Sequence, residues 1–326
     1  MLINDIAALK AQIGGVQKIM AWPTWEPAVR QSEQKYIIPA IGQELYVELI
    51  GLTTPTSAQQ ALLDRLKAAT AFFAYLENMP FLMTATGDAG MVVSTPANTA
   101  VLTKWMYVAV LKDITAKADF WLEDSLQWLE THAASFPTWT ASSAYTVNHG
   151  RLISSATEWT TAFPAAKNSR RLYLSVRGYL FNAEDSVLQT ILGAEFYTAL
   201  ANRLKLASST FTPKEAKVLA LCRKFVANSG FVDAIPFLNL NADFRIVSET
   251  DGIINEDELD INRLNAVLKT CQDAATSAAR ELTDYLNANA SSTVFPDYFA
   301  SDRYRVPVVG RTPGFQNDSS NPFFVL

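Results

Sequence analysis

Two histidines, two cysteines and one acidic run are the residues with which this chain could do chemistry. His132 closes a helical pattern, where a cation complements the negative end of the helix dipole, and His149 lies in a polar loop. Neither stands beside a Gly-x-Ser-x-Gly elbow or a cysteine, the partners that nucleophilic catalysis asks of a histidine base. Cys222 and Cys271 sit inside apolar helical patterns and read as buried free thiols rather than a disulfide or a metal pair. The acidic run holds one sharper spacing. Asp251-Gly252-Ile253-Ile254 followed by Glu258 matches positions 5, 6, 8 and 12 of an EF-hand calcium loop, but Val247 occupies position 1, where a carboxylate is needed. An acidic first turn for the following helix, capped by Asn255 or Asp257, accounts for the run without a metal. Gly87-Asp88-Ala89-Gly90 lacks the lysine and the following helix of a phosphate loop and reads as a turn. No catalytic residue, cofactor site or metal site is expected.

The elements that would position any site are helices. From Asp257 to Ala288 the apolar residues Ile261, Leu264, Leu268, Cys271, Ala275, Ala278, Leu282 and Tyr285 step by 3, 4, 3, 4, 3, 4, 3. That register keeps one narrow stripe on one side, the seam of a helix packed lengthwise on another. Ala275 and Ala278 would let a partner backbone come close. Subtracting 157 lands on a second stripe in the same register, Leu111, Ile114, Ala118, Trp121, Ser125 and Trp128. Pro96 suits the start of that earlier helix, and Phe136-Pro137-Thr138-Trp139 stops it as Phe295-Pro296-Asp297-Tyr298 stops the later one.

Other segments repeat too. Leu2-Ile3 reappears as Leu152-Ile153, and Ile41-Gly42-Gln43-Glu44-Leu45-Tyr46 as Leu192-Gly193-Ala194-Glu195-Phe196-Tyr197. Helical periodicity predicts one helix from Glu26 to Leu49 and another from Ala58 to Glu77, the latter mirrored by Pro213 to Ala227. Pro80-Phe81-Leu82-Met83 and Met91-Val92-Val93 read as short strands around a glycine turn; Ile235-Pro236-Phe237-Leu238 and Arg245-Ile246-Val247-Ser248 are their counterparts. The predicted fold class is mainly α: a tandem duplication of a helical unit, each copy with a short β element and one long helix. The predicted organisation is a first repeat over 1–145, a second over 146–299, and an extended tail over 300–326.

Composition agrees with a globular chain of this size. Its 326 residues are 49% hydrophobic and 18% charged, enough apolar material for two cores. A net charge of −5 argues against general nucleic-acid binding. No window holds the roughly 18 apolar residues of a membrane span, and the N-terminus has no basic region followed by an apolar run. Two buried thiols need no oxidising compartment.

The tail differs in kind. Arg303, Arg305 and Arg311 precede Phe315 and a Gly/Asn/Ser-rich stretch, and residues Phe323, Phe324, Val325 and Leu326 carry no charge. These eight are the candidate interface residues. Either the tail folds back on its own repeat, or it adds onto a neighbour as extended peptides do. Truncation after Tyr298 is expected to leave both halves folded.

The Leu-Ile opening, the Ile/Leu-Gly-x-Glu-x-Tyr helix, Pro-Phe-Leu followed by Gly87-Asp88-Ala89-Gly90-Met91-Val92-Val93, and Lys104-Trp105 resemble an uncharacterised virion-protein family of Bacteroidetes phages and prophages. Members of that family are similar to head–tail connector (adaptor) proteins, small helical units that form a ring beneath the portal. The resemblance implies a structural subunit that self-assembles into a homo-oligomeric ring, docks portal and tail or neck proteins, and is not an enzyme. It implies a place in the virion after synthesis in the host cytoplasm, a ring through which DNA could pass without sequence-specific contact, and no membrane partner. Two alternatives stand beside it: another tail-completion or capsid-accessory virion protein, and a helical peptide- or calcium-binding module.

Overall fold

The computed structural model describes residues 1–14, 20–82, 85–87, 90–92, 103–206, 210–238, 247–249, 256–258 and 261–307. The first repeat opens with α1 (Ile6–Ile13), whose Asp5 carboxylate accepts from the Ala8 N–H at 2.8 Å. Then come α2 (Trp22–Ser32), a π turn (Glu33–Ile37), α3 (Ile38–Ile41) and α4 (Gln43–Gly51). The long α5 (Ser57–Leu82), strands β1 (Ala85–Gly87) and β2 (Gly90–Val92), α6 (Lys104–Thr131), α7 (Pro137–Thr140) and α8 (Ser143–Thr146) complete it.

The second repeat runs through the same series, without a helix in the place of α8 among the described residues. It comprises α9 (Ala156–Ala162), α10 (Arg170–Asn182), a π turn (Ala183–Leu188), α11 (Gln189–Leu192) and α12 (Ala194–Leu204). After these come α13 (Pro213–Leu238), β3 (Val247–Glu249), β4 (Glu256–Glu258), α14 (Ile261–Asn289) and α15 (Pro296–Phe299). The fold is mainly α and built as a tandem repeat. Each repeat carries one two-stranded antiparallel ladder, pairing Thr86 with Met91 and Ser248 with Asp257.

Five expectations need correction. The helix predicted over Glu26 to Leu49 is broken at Gly42, whose φ of +87° belongs to glycine, and Gly193 breaks the copy at +82°. Both Pro-Phe-Leu segments are the last turns of α5 and α13, not strands. Val247-Ser248 lies in the first strand of its hairpin rather than the second, and Glu256–Glu258 forms β4 instead of an acidic first turn of α14. Alternating side chains suit a strand as well as charges suit a helix start, and pairing decides. Finally, α6 opens at Lys104 rather than near Pro96, which lies outside the described residues, as do Asp251 to Asn255.

Each repeat buries its own core. Ile41, Leu45, Leu62, Leu66, Phe73, Ala118, Leu122 and Leu129 anchor the first, with Trp25, Val29, Ala71 and Ala74 in a satellite under α1 and α2. Leu180, Leu192, Leu200, Cys222, Phe225, Ala278, Leu282 and Tyr298 anchor the second. At about 1.5–3 kcal/mol per buried large aliphatic or aromatic side chain, these clusters are the main source of stability. Of the seam predicted for α14, Cys271, Ala275, Ala278 and Leu282 are buried, Leu264, Leu268 and Tyr285 are half-buried, and Ile261 is 62% exposed; Leu286, next to Tyr285, is buried as well.

A polar clamp recurs inside both cores. Glu33 is buried in the first π turn; one carboxylate oxygen accepts from the Leu2 N–H at 2.6 Å and the other from the Tyr46 hydroxyl at 2.7 Å. Glu184, in the second π turn, accepts from the Leu152 N–H at 3.2 Å and the Tyr197 hydroxyl at 2.8 Å. The tyrosine of each Gly-x-Glu-x-Tyr motif therefore ties the start of its repeat to the helix break.

Candidate functional site

The two repeats meet along one edge of α6. Asp119 accepts from Ser169 Oγ at 2.9 Å and Arg171 Nε at 3.0 Å, at the N-terminus of α10. Glu123 accepts from the Thr157 N–H at 3.0 Å and its hydroxyl at 2.9 Å, in the first turn of α9. Gln127 Nε2 donates to the same hydroxyl at 2.6 Å. Two carboxylates thus face two helix N-termini, where the dipole favours negative charge. The corresponding stripe of α14 reads Thr276, Arg280 and Asp284; all three are exposed, and Arg280 pairs only loosely with Asp284, at 3.8 Å.

Beside this junction lies a cavity of about 290 Å³ lined by Leu126, Glu130, Trp139, Tyr145, His149 and Arg170. Trp139 Nε1 and Arg170 Nε are buried there without a hydrogen-bond partner. Glu130 keeps contact with solvent, yet burial by the surrounding protein and the neighbouring Glu123 and Glu158 push its carboxyl up to about 7. His149 stacks on Tyr145 and hydrogen-bonds the Lys205 carbonyl at 2.9 Å, while His132 stacks on Trp128 and bonds its carbonyl at 3.0 Å. Both cysteines are buried, and burial raises both thiols. Among the described residues, no group of three His, Cys, Asp or Glu side chains is placed to hold a metal ion. Among them, too, no helix is long and apolar enough to cross a membrane.

The tail begins as part of the second repeat. Ser301 Oγ donates to the Tyr298 carbonyl at 2.7 Å, as Ser142 Oγ donates to that of Trp139 at 2.7 Å. A Cβ on Gly193 would sit 3.6 Å from Ser301 Cβ, and one on Gly42 would sit 2.9 Å from Ser142 Cβ. Tyr304 meets Tyr298 edge-on as Tyr145 tilts against Trp139. The Arg305 N–H and the Tyr298 hydroxyl both donate to Asn287 Oδ1, at 2.9 and 3.1 Å. The repeat therefore continues to about residue 305, and truncation after Tyr298 would remove packed residues. Arg303 and Arg305 stand exposed at this corner, with Arg303 paired to Asp302 at 3.4 Å. Arg311, Phe315, Phe323, Phe324, Val325 and Leu326 lie outside the described residues.

Adjacent to the corner is an open groove of about 660 Å³. Phe196, Leu200, Val218 and Phe295 form its apolar floor, with Arg203, Glu215 and Asp297 at its rim. Arg203 is tied to Glu215, which also accepts from the Thr212 N–H at 2.8 Å in a capping box. The matching place in the first repeat is spanned by Glu48, which accepts from Thr138 Oγ1 at 2.6 Å and Gln59 Nε2 at 3.4 Å. Ala199 replaces Glu48 in the second repeat, Asp297 replaces Thr138, and Glu215 replaces Gln59. No sequence pattern singled out Glu33, Glu184, Asp119, Glu123 or this groove. Comparing the two copies position by position could have found all of them.

A protein-family model matches this chain twice, over residues 37–149 and 188–308. The chain belongs to DUF6712, a family of unknown function. The two DUF6712 segments begin 151 residues apart, at 37 and 188, and end 159 apart, at 149 and 308. Those are the spacings of the Gly-x-Glu-x-Tyr helices and of the Phe-Pro exits. The second segment reaches past Phe299, in accord with the packing of Ser301 to Arg305. Neither the curated proteins nor the solved structures contain a match to the chain.

Proposed function

We propose that this DUF6712 chain is a structural subunit that works by self-association, most specifically a head–tail connector or neck-ring subunit of a phage particle. In this reading it docks portal and tail proteins through surfaces rather than through a reaction. The supporting observation is the asymmetry between the copies: the groove that Glu48 spans in the first repeat is open in the second. Identical folds with unequal surfaces suit a subunit whose two halves meet different neighbours. The phage assignment rests on the sequence resemblance.

Sedimentation of the full chain over a range of concentrations, with negative-stain imaging, tests the reading. Rings or closed oligomers are the expected outcome; a monomer at every concentration would overturn it. Removing residues after Pro307 should leave the helical circular dichroism and the melting temperature unchanged while weakening assembly. A second reading, a peptide-binding module, is favoured by the same apolar groove, and a monomer that binds apolar peptides would support it instead.

A further inference from the structure

We infer that the groove between α12, the start of α13 and the 293–297 turn receives residues 322–326 from a second copy of this chain. The inference rests on the self-association reading above. Its first support is the comparison of the repeats. Fourteen residues line the groove, and the first repeat has a counterpart for each. There Glu48 crosses from α4 to Thr138 and Gln59 and covers the apolar floor. In the second repeat Ala199 makes no such crossing, and Phe196, Leu200 and Phe295 are 8%, 6% and 6% exposed where Leu45, Leu49 and Phe136 are 0%, 2% and 1%. Its volume falls within the range of roughly 300–1,000 Å³ typical of ligand-binding clefts.

The second support is chemical. The occupant is short and mainly apolar, because the floor is apolar and Arg203 and Glu215 already satisfy each other at a rim that also holds Lys214 and Asp297. Pro322-Phe323-Phe324-Val325-Leu326 has that composition, with no charged side chain among residues 319–326. The third support is reach. Val306 and Pro307 are exposed where the described chain leaves the repeat, and the 14 residues from 308 to 321 can extend by about 45–50 Å. That span exceeds the roughly 16 Å length of α12, long enough for the closing residues to extend clear of their own repeat. Burying two phenylalanines and two aliphatic side chains in each groove would favour the assembled state over the monomer.

Two full-length variants test this, one carrying Ala199→Cys and the other Val325→Cys, mixed and treated with a short bismaleimide. Native Cys222 and Cys271 are buried, and the untreated sequence serves as the control for their reactivity. A product of twice the chain mass, formed in the mixture and in neither variant alone, is the expected result. Full-length Ala199→Glu, which restores the first repeat's residue, should shift assembly to at least tenfold higher concentration. If the mixture yields no such product while sedimentation still shows oligomers, the groove assignment is overturned and self-association stands. If the chain is monomeric at every concentration, both fall. If a third variant carrying both Ala199→Cys and Val325→Cys closes only an internal link within one chain, the tail fills its own groove and the second-copy occupant is wrong.

Discussion

At the scale of single residues, the buried carboxylates carry the clearest consequences. Glu33 has two donors, the Leu2 N–H and the Tyr46 hydroxyl, and an acid in a core is costly when a donor is removed. Tyr46→Phe should therefore lower stability by about 1–3 kcal/mol, measured by denaturant unfolding. Tyr197→Phe should cost less, because Arg151 lies 3.9 Å from Glu184 and still offsets its charge. Glu130 leads to a pH prediction. Its carboxyl is raised from 4.5 to about 7 in the folded chain, so between those values the folded state binds more protons than the unfolded one. Stability from this group is present at the acidic end of that window and falls as pH rises through it. Glu130→Gln should flatten the decline of melting temperature across the window and raise it above pH 7. Solvent contact at the cavity mouth keeps the effect modest.

At the scale of elements, the helix pairs show how the copies diverged without losing their packing. A Cβ on Gly230 of α13 would lie 2.8 Å from the Leu180 Cα of α10. In the first repeat the matching residues are Ala74 and Val29, which share a cluster. Alanine with valine and glycine with leucine carry the same number of side-chain carbons, so the pair kept its volume while moving a methyl group across the interface. Gly230→Ala should destabilise by about 1–3 kcal/mol through overpacking, despite the helix propensity that favours alanine by about 0.8–1 kcal/mol. Adding Leu180→Val should restore only part of the loss in a double-mutant cycle, because it relieves the 2.8 Å contact with Leu180 Cδ2 but not those with the Leu180 backbone.

Much of this level was legible in the sequence. The seam of α14, the exits at Pro137 and Pro296, and the shared spacing of the Gly-x-Glu-x-Tyr helices all follow from local periodicity and from comparing the chain with itself. What stayed hidden depends on distant partners. Gly42 breaks its helix where Ser142 presses against it, and Glu256–Glu258 becomes a strand because Val247–Glu249 lies alongside. The open groove is a difference between copies rather than a motif, so no single stretch announces it.

At the scale of the whole molecule, the two cores are coupled through the carboxylate edge of α6. Hydrogen bonds to charged groups contribute about 1.5–3 kcal/mol each when partly buried. Replacing both Asp119 and Glu123 with alanine should uncouple the repeats, so that a single calorimetric transition divides into two. Each half should keep its helical signal up to its own midpoint. A double variant that still melts in one step would mean that apolar contacts, not these carboxylates, join the halves.

The same edge also makes the two repeats unequal as neighbours. Asp119 and Glu123 receive the first turns of the helices that follow, whereas α14 offers Thr276 and Arg280 at those positions. A third unit appended after residue 307 would bring its helix N-termini up to a guanidinium instead of a carboxylate. The seam between the repeats therefore has a direction: the first long helix presents carboxylates to its neighbour, and the second presents a hydroxyl and a guanidinium to solvent.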